Sequence, residues 1–127
     1  MTFVLIGVIL ILAVMLLVKK QKAQVVILDR SAVTDVRIVE FIDCNLFDKV
    51  ILPKFIVKEL ENKKDKKTDI EKLKQNKKVE VMNNNYSNLQ SENFKILKLA
   101  QEKKAKIITT NFELNKMAIV KGIDVIN

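Results

Sequence analysis

The chain has 127 residues, a formal net charge of +8 and no histidine. The lack of histidine excludes Ser-His and Cys-His catalysis and most zinc sites. Two glycines exclude a phosphate-binding loop and a dinucleotide fingerprint, and one cysteine excludes a disulfide framework.

The amino-terminal segment, residues 1–18, carries no charged side chain and ends at a basic run that starts at Lys19. As a helix it would rise roughly 27 Å, at the short end of what crosses a bilayer. A signal peptide is the alternative, but no basic residue precedes the run and no small-residue cleavage pattern follows it. We predict a transmembrane helix over residues 1–18 and a basic juxtamembrane linker over residues 19–24. The positive-inside rule then puts the amino terminus outside and the following domain in the cytoplasm.

The next segment is typical of a buried strand that leads into a helix. Residues 25–28 are Val-Val-Ile-Leu, and Asp29 follows them directly. Apolar residues then recur at helical spacing from Val33 through Val36 to Ile42. This pattern indicates the first βα unit of a parallel sheet. Because the chemistry of open α/β sheets lies beyond the carboxyl ends of the strands, Asp29 is a candidate site residue.

Strands and helices alternate through the rest of the chain. The order of elements predicts one α/β domain over residues 25–127, with a parallel five-stranded sheet between two layers of helices. The predicted strands after the first cover residues 50–52, 79–82, 105–110 and 124–127, and the helices between them cover residues 54–62, 69–76, 87–104 and 111–121.

Residues 63–78 contain eight lysines and three acidic residues. Such a segment can bind nucleic acid or anionic lipid, and the nucleic-acid candidates are Lys63, Lys64, Lys66 and Lys67. The alternative is a solvated, lysine-rich helix without a ligand. The segment contains no arginine and no aromatic side chain, both of which strong RNA sites use, and this favours the solvated helix.

Several short motifs occur in collinear order over residues 25–127. They are Ile27-Leu-Asp29-x-Ser31 with Asp35, Ile51-Leu-Pro53-x-Phe55-x-Val57-x-Glu59-Leu60, Lys95-Ile-Leu-Lys-Leu-Ala100, Ile108-Thr-Thr-Asn111 and Gly122-Ile-x-Val125. Together they resemble a PIN domain, and most nearly the bacterial membrane-anchored PIN–TRAM branch, although no TRAM domain follows here. The resemblance implies a Mg²⁺- or Mn²⁺-dependent ribonuclease whose acidic residues hold the ions.

The resemblance assigns four acidic positions, which fall on Asp29, Glu59, Asn93 and Asn111. Two of the four are therefore amides, and the pocket loses two negative charges. Mg²⁺ is a hard ion that needs carboxylates, water and substrate phosphates. Asp29 and Glu59 alone would hold one ion weakly or none. An asparagine is also a favoured helix cap, so both amides have a structural interpretation.

Three residues near the first acid are expected to modify the site: Arg30, Ser31 and Asp35. Arg30 replaces a small residue of the family pattern with a cation that does not deprotonate. We expect it to compete with a metal ion for the carboxylates. The alternative is a plain ion pair between Asp29 and Arg30.

Three functions remain. The first is a membrane-anchored PIN-like binding or scaffold module with an impaired or lost nuclease site. The second is an endoribonuclease that acts on RNA at the membrane, and Mg²⁺ or Mn²⁺ is an expected cofactor only for this function. The third is a structural subunit of a membrane assembly. The two amides and Arg30 favour the first function, without enzyme activity. The expected partners are the membrane, RNA, and a second copy or a membrane protein.

Overall fold

The structure is a computed structural model that describes all residues except 21–22, 84–85, 87–88 and 90. The side chains of residues 18–20 and 64–68 also lie outside the described part. The helices are α1 (Thr2–Lys20), α2 (Arg30–Val33), α3 (Ile38–Asp43), α4 (Lys54–Glu61), α5 (Lys64–Lys74), α6 (Glu92–Lys103) and α7 (Phe112–Val120). The strands are β1 (Val25–Leu28), β2 (Lys49–Pro53), β3 (Val79–Met82), β4 (Lys106–Ile108) and β5 (Val125–Ile126).

The strands form one parallel sheet of five strands in the order β3-β2-β1-β4-β5. The central strand, β1, pairs with β2 on one side and with β4 on the other. Val26, Ile27 and Leu28 are fully buried, as a continuous apolar strand requires when helices cover both faces of a sheet. The structure therefore contains the predicted parallel sheet.

The strand order reverses between β1 and β4. The chain steps from β1 through β2 to β3, and then returns to β4 and β5 on the other side of β1. Right-handed crossovers consequently put α2–α5 on one face and α6 and α7 on the other. The crevice at the carboxyl ends of β1 and β4 is the place where open α/β sheets bind ligands. Asp29 follows β1 and Thr109 follows β4, so these two residues border the crevice.

The single helix predicted after Asp29 is two short helices, α2 and α3, separated by a turn. In that turn the Asp35 carboxylate accepts the backbone N–H of Arg37 at 2.9 Å. Local side-chain hydrogen bonds of this kind compete with helix formation. Val36, predicted to lie on an apolar helix face, is 86% exposed.

The membrane span predicted over residues 1–18 is wrong. Within the part of the chain that the structure describes, no helix combines the length and the apolar character needed to cross a membrane. The uncharged part of α1, residues 2–18, rises about 25 Å at about 1.5 Å per residue, which is less than the roughly 30 Å of a bilayer core. The localisation as a single-pass membrane protein, from which the orientation of the two ends was inferred, is therefore wrong as well. The predicted linker begins inside α1, and its residues 21–22 lie outside the described part.

Candidate functional site

The buried carboxylate of Asp29 caps α2 and joins β1 to β4. Its Oδ1 accepts the backbone N–H of Ala32 at 2.9 Å and the hydroxyl of Ser31 at 2.7 Å. Its Oδ2 accepts the hydroxyl of Thr109 at 2.5 Å. Aspartate is among the most favoured residues at this position because its oxygen satisfies an otherwise unpaired N–H of the first turn. Both oxygens of Asp29 are thus engaged by donors of the protein itself.

The two hydroxyls around Asp29 are themselves fixed by the end of β4. The backbone N–H of Thr110 donates to Ser31 Oγ at 2.9 Å, and the N–H of Asn111 donates to Thr109 Oγ1 at 2.9 Å. A hydroxyl has a single proton, and each of these protons is directed at Asp29. The result is a closed network across the crevice in which every hydroxyl both donates and accepts.

Arg30, the first residue of α2, bridges two carboxylates from different helices. Its Nη2 donates to Glu92 Oε2 at 2.9 Å and also to Glu59 Oε2. Glu59 lies on α4 and Glu92 is the first residue of α6. The side chains of Arg30 and Glu92 are each 33% exposed, and that of Glu59 is 54% exposed. We call these three residues the Arg30 cluster.

The contacts of the Arg30 cluster shift the pKa values of Arg30 and Glu59. The hydrogen bonds to Glu59 and then to Glu92 raise the pKa of Arg30, against the smaller opposing effect of burial. The hydrogen bond from Arg30 lowers the pKa of Glu59 below its ordinary value of 4.5, and the charge of Lys63 acts in the same direction. Both shifts favour the ionised forms of Arg30 and Glu59 at neutral pH.

The two amides predicted at acidic positions do not join the Arg30 cluster. Asn111 is the N-cap of α7, and its Oδ1 accepts the N–H groups of Glu113 at 3.0 Å and Leu114 at 3.2 Å. Asn93 is half-buried on α6, and the residue that contacts Arg30 is its neighbour Glu92. Asn111 therefore has the structural role of a helix cap.

The remaining candidates lie away from the cluster or outside the described side chains. Asp35 pairs with Arg37, whose side-chain hydrogen bonds lower the pKa of Asp35 to about 2. Lys63 is exposed at the start of α5. Lys64, Lys66 and Lys67 lie among the residues whose side chains are outside the described part.

The residues of the crevice do not fit a divalent ion as they stand. Among the described residues, no three acidic or cysteine side chains are grouped so that they could hold a metal ion. The oxygens of Asp29 are engaged by Ser31, Ala32 and Thr109, and a guanidinium lies between Glu59 and Glu92. Metal binding would require Arg30 to leave both carboxylates, because a cation repels a second cation at short range.

The sequence interpretation missed two residues of the site, Glu92 and Thr109. Glu92 has a local signal, since an acidic residue in the first turn of a helix is favoured by the helix dipole. The pairing of Glu92 with Arg30 has no local signal, because the contact joins α2 to α6 across 62 positions of the chain. Thr109 is fully buried, and a threonine at a strand end is common enough to carry little information.

Comparisons with known proteins identify the fold. No protein-family model and no curated protein matches the chain. A domain of a functionally unknown protein from Methanocaldococcus jannaschii is similar in structure, with a TM-score of 0.62 and 25% sequence identity, over 82% of this chain and 90% of that one. A PilT N-terminus domain protein from Sulfolobus solfataricus has a TM-score of 0.61 and 16% identity, over 81% of this chain and 86% of that one. The chain thus has a PIN-like fold, while the PIN–TRAM branch stays a prediction.

Proposed function

We propose that this PIN-like chain is a binding module in which Arg30, rather than divalent ions, neutralises the acidic residues of the crevice. The observation that carries the proposal is the double contact of Arg30 with Glu59 and Glu92. A guanidinium is a planar fork of donors that stays charged at any accessible pH. It therefore remains paired with both carboxylates, whereas a bound metal ion can dissociate from them.

The charges of the crevice support the same function. Glu59, Glu92 and Asp29 carry three negative charges, and Arg30 carries one positive charge. Hydroxyl and N–H donors stabilise the charge of Asp29, so the Arg30 cluster itself keeps a net charge of about −1. The two amides add no charge. A pair of divalent ions has too few free carboxylates here to be clamped for phosphodiester hydrolysis.

Thermal unfolding in increasing Mn²⁺ tests the proposal. The melting temperature of the wild type should change little. The melting temperature of the variant Arg30→Met should rise as Mn²⁺ is added, because the substitution frees Glu59 and Glu92 to bind the ion. A ligand bound only to the native state stabilises that state by RT ln(1 + [L]/Kd). The matched control is Arg37→Met, which removes the exposed arginine paired with Asp35 and should leave the Mn²⁺ response at the wild-type level.

Two results would overturn the proposal. One is a wild-type protein that responds to Mn²⁺ as strongly as Arg30→Met does. The other is cleavage of single-stranded RNA by the wild type that needs Mg²⁺ or Mn²⁺ and is lost in Glu59→Gln. Either result would favour the second candidate, a metal-dependent ribonuclease. That candidate has its own support in the two carboxylates that meet on Arg30 beside Asp29.

A further inference from the structure

A small pocket opens next to the Arg30 cluster, between the start of α4, the end of β3 and the first turns of α6. Its volume is about 180 Å³. It shares helices with the cluster, since Phe55 lies four residues before Glu59 and Lys95 lies three residues after Glu92, spacings that put each pair on one helix face. The pocket is lined by Lys54, Phe55, Lys58, Met82, Asn83, Tyr86 and Lys95.

Three ammonium groups give the pocket a strong positive charge. Lys54 and Lys58 are one helical turn apart on α4, and Lys95 approaches from α6. No carboxylate is among the described residues that line the pocket. Among the described residues, none of the three lysines takes part in a salt bridge. Three unpaired ammonium groups around one small cavity favour an anion as the occupant.

Two aromatic rings complete the wall. The ammonium of Lys95 lies 5.3 Å from the ring centre of Phe55, and that of Lys98 lies 5.9 Å from the ring centre of Tyr86. The Tyr86 hydroxyl donates to Glu102 at 2.5 Å, which fixes the orientation of that ring. Lysine and aromatic side chains in one groove are the combination that binds single-stranded nucleic acid, because the lysines hold phosphate and the rings stack with bases.

We infer that this pocket binds one nucleotide unit, with its phosphate among Lys54, Lys58 and Lys95 and its base against Phe55 or Tyr86. The volume of about 180 Å³ lies below the roughly 300–1,000 Å³ of pockets that enclose a whole small ligand. A nucleotide bound by both its phosphate and its base would therefore extend beyond the pocket, as one unit of a single strand does. The inference rests on the proposed function, because a binding module needs a ligand and the side chains of this pocket indicate which ligand it binds.

Fluorescence anisotropy with a labelled single-stranded RNA of about ten nucleotides, a length within the site sizes of such proteins, tests the inference at several salt concentrations. The double variant Lys54→Gln/Lys58→Gln should bind more weakly and should lower the slope of log K against log salt by about 0.7 per lysine. Phe55→Leu should weaken binding about tenfold and leave the slope unchanged, because it removes stacking and no charge.

The control is Lys77→Gln/Lys103→Gln, which removes two exposed lysines near the amino-terminal ends of β3 and β4, at the opposite edge of the sheet. This control should bind like the wild type. Competition with a free nucleoside monophosphate separates the two sources of the ligand. Displacement at equal nucleotide concentration would indicate a free nucleotide, and displacement only by the strand would indicate a polymer.

Equal affinities and slopes for the wild type, the α4 double variant and the control would overturn the inference. So would a loss of affinity that is the same for both double variants, because it would show attraction to the net charge alone. The Mn²⁺ response stays a separate readout. Adding Lys54→Gln/Lys58→Gln to Arg30→Met should leave that response unchanged, so a failure of the nucleotide pocket and a failure of the proposed function are distinguishable.

Discussion

Replacing Asp29 with asparagine tests whether the carboxylate of Asp29 stabilises the fold or is kept to bind a ligand. The side chain is 3% exposed and accepts hydrogen bonds from Ala32, Ser31 and Thr109. If these bonds are the purpose of the carboxylate, its loss must lower the free energy of unfolding. A carboxylate kept for a ligand behaves in the opposite way, because functional acidic groups are commonly held at a cost to stability.

The magnitude follows from the donors around Asp29. An amide keeps one oxygen for Ala32 and Ser31, but it sets an NH₂ group against the hydroxyl of Thr109. A hydrogen bond to a charged group contributes about 1.5–3 kcal/mol. The Thr109 hydroxyl can turn and accept from the amide, which recovers part of the loss. We expect Asp29→Asn to lower the free energy of unfolding by about 2 kcal/mol, which lowers the melting temperature of a domain of this size by roughly 10 °C.

Urea unfolding at neutral pH, together with a thermal melt, measures the effect. The matched control is Asp48→Asn. Asp48 is exposed before β2, and its carboxylate accepts the N–H of Gln24 at 2.7 Å. The control should change stability by less than about 0.5 kcal/mol, as is usual for surface substitutions. Unchanged or increased stability in Asp29→Asn would refute the structural interpretation of this carboxylate.

Three further predictions concern single contacts. The folded-state pKa of Glu59 lies below 4.5. The stability that its ion pair with Arg30 contributes is therefore present above pH 4.5 and is lost as the pH falls through the lowered pKa. Urea midpoints measured against pH should show this loss in the wild type and not in Arg30→Met. Deletion of residues 124–127 should cost about 3 kcal/mol in urea unfolding, because it exposes apolar surface and leaves the N–H groups of Ile107 and Thr109 unpaired; an unchanged midpoint would mean that β5 adds nothing to the sheet. Asn111→Ala should cost about 1 kcal/mol and Asn111→Asp only a few tenths, because aspartate caps a helix as well as asparagine does; equal losses would contradict the capping role.

Much of the sheet and its borders could be predicted because the signals are local. Four apolar residues followed by a carboxylate define β1 and the cap of α2. Asn111 begins α7 as a cap. Gly122 follows the end of α7 with a positive φ of 71°, a conformation that glycine adopts without a steric penalty. Each of these features depends on residues that are adjacent in the chain.

The site could be predicted only in part because its contacts join distant elements. Glu59 is 29 positions from Arg30, and Glu92 is 62 positions from it. The resemblance assigned the third acidic position to Asn93, whereas α6 begins one residue earlier and directs Glu92 at Arg30. A shift of one residue on a helix turns a side chain by about 100°, since 3.6 residues make one turn. Sequence alone does not resolve such a shift at the end of a helix.

A guanidinium in the crevice also changes which part of the surface attracts phosphate. A divalent ion held by carboxylates retains positive charge toward a phosphate group. The charge of Arg30 is balanced by Glu59 and Glu92, and the Arg30 cluster keeps a net charge of about −1, which repels phosphate weakly. Attraction must therefore come from other cations nearby, and α4 and α6 carry them as Lys58 and Lys95 in the adjacent pocket. In this arrangement Arg30 neutralises the carboxylates of the Arg30 cluster, and the lysines of the adjacent pocket bind phosphate. One metal centre would have both roles.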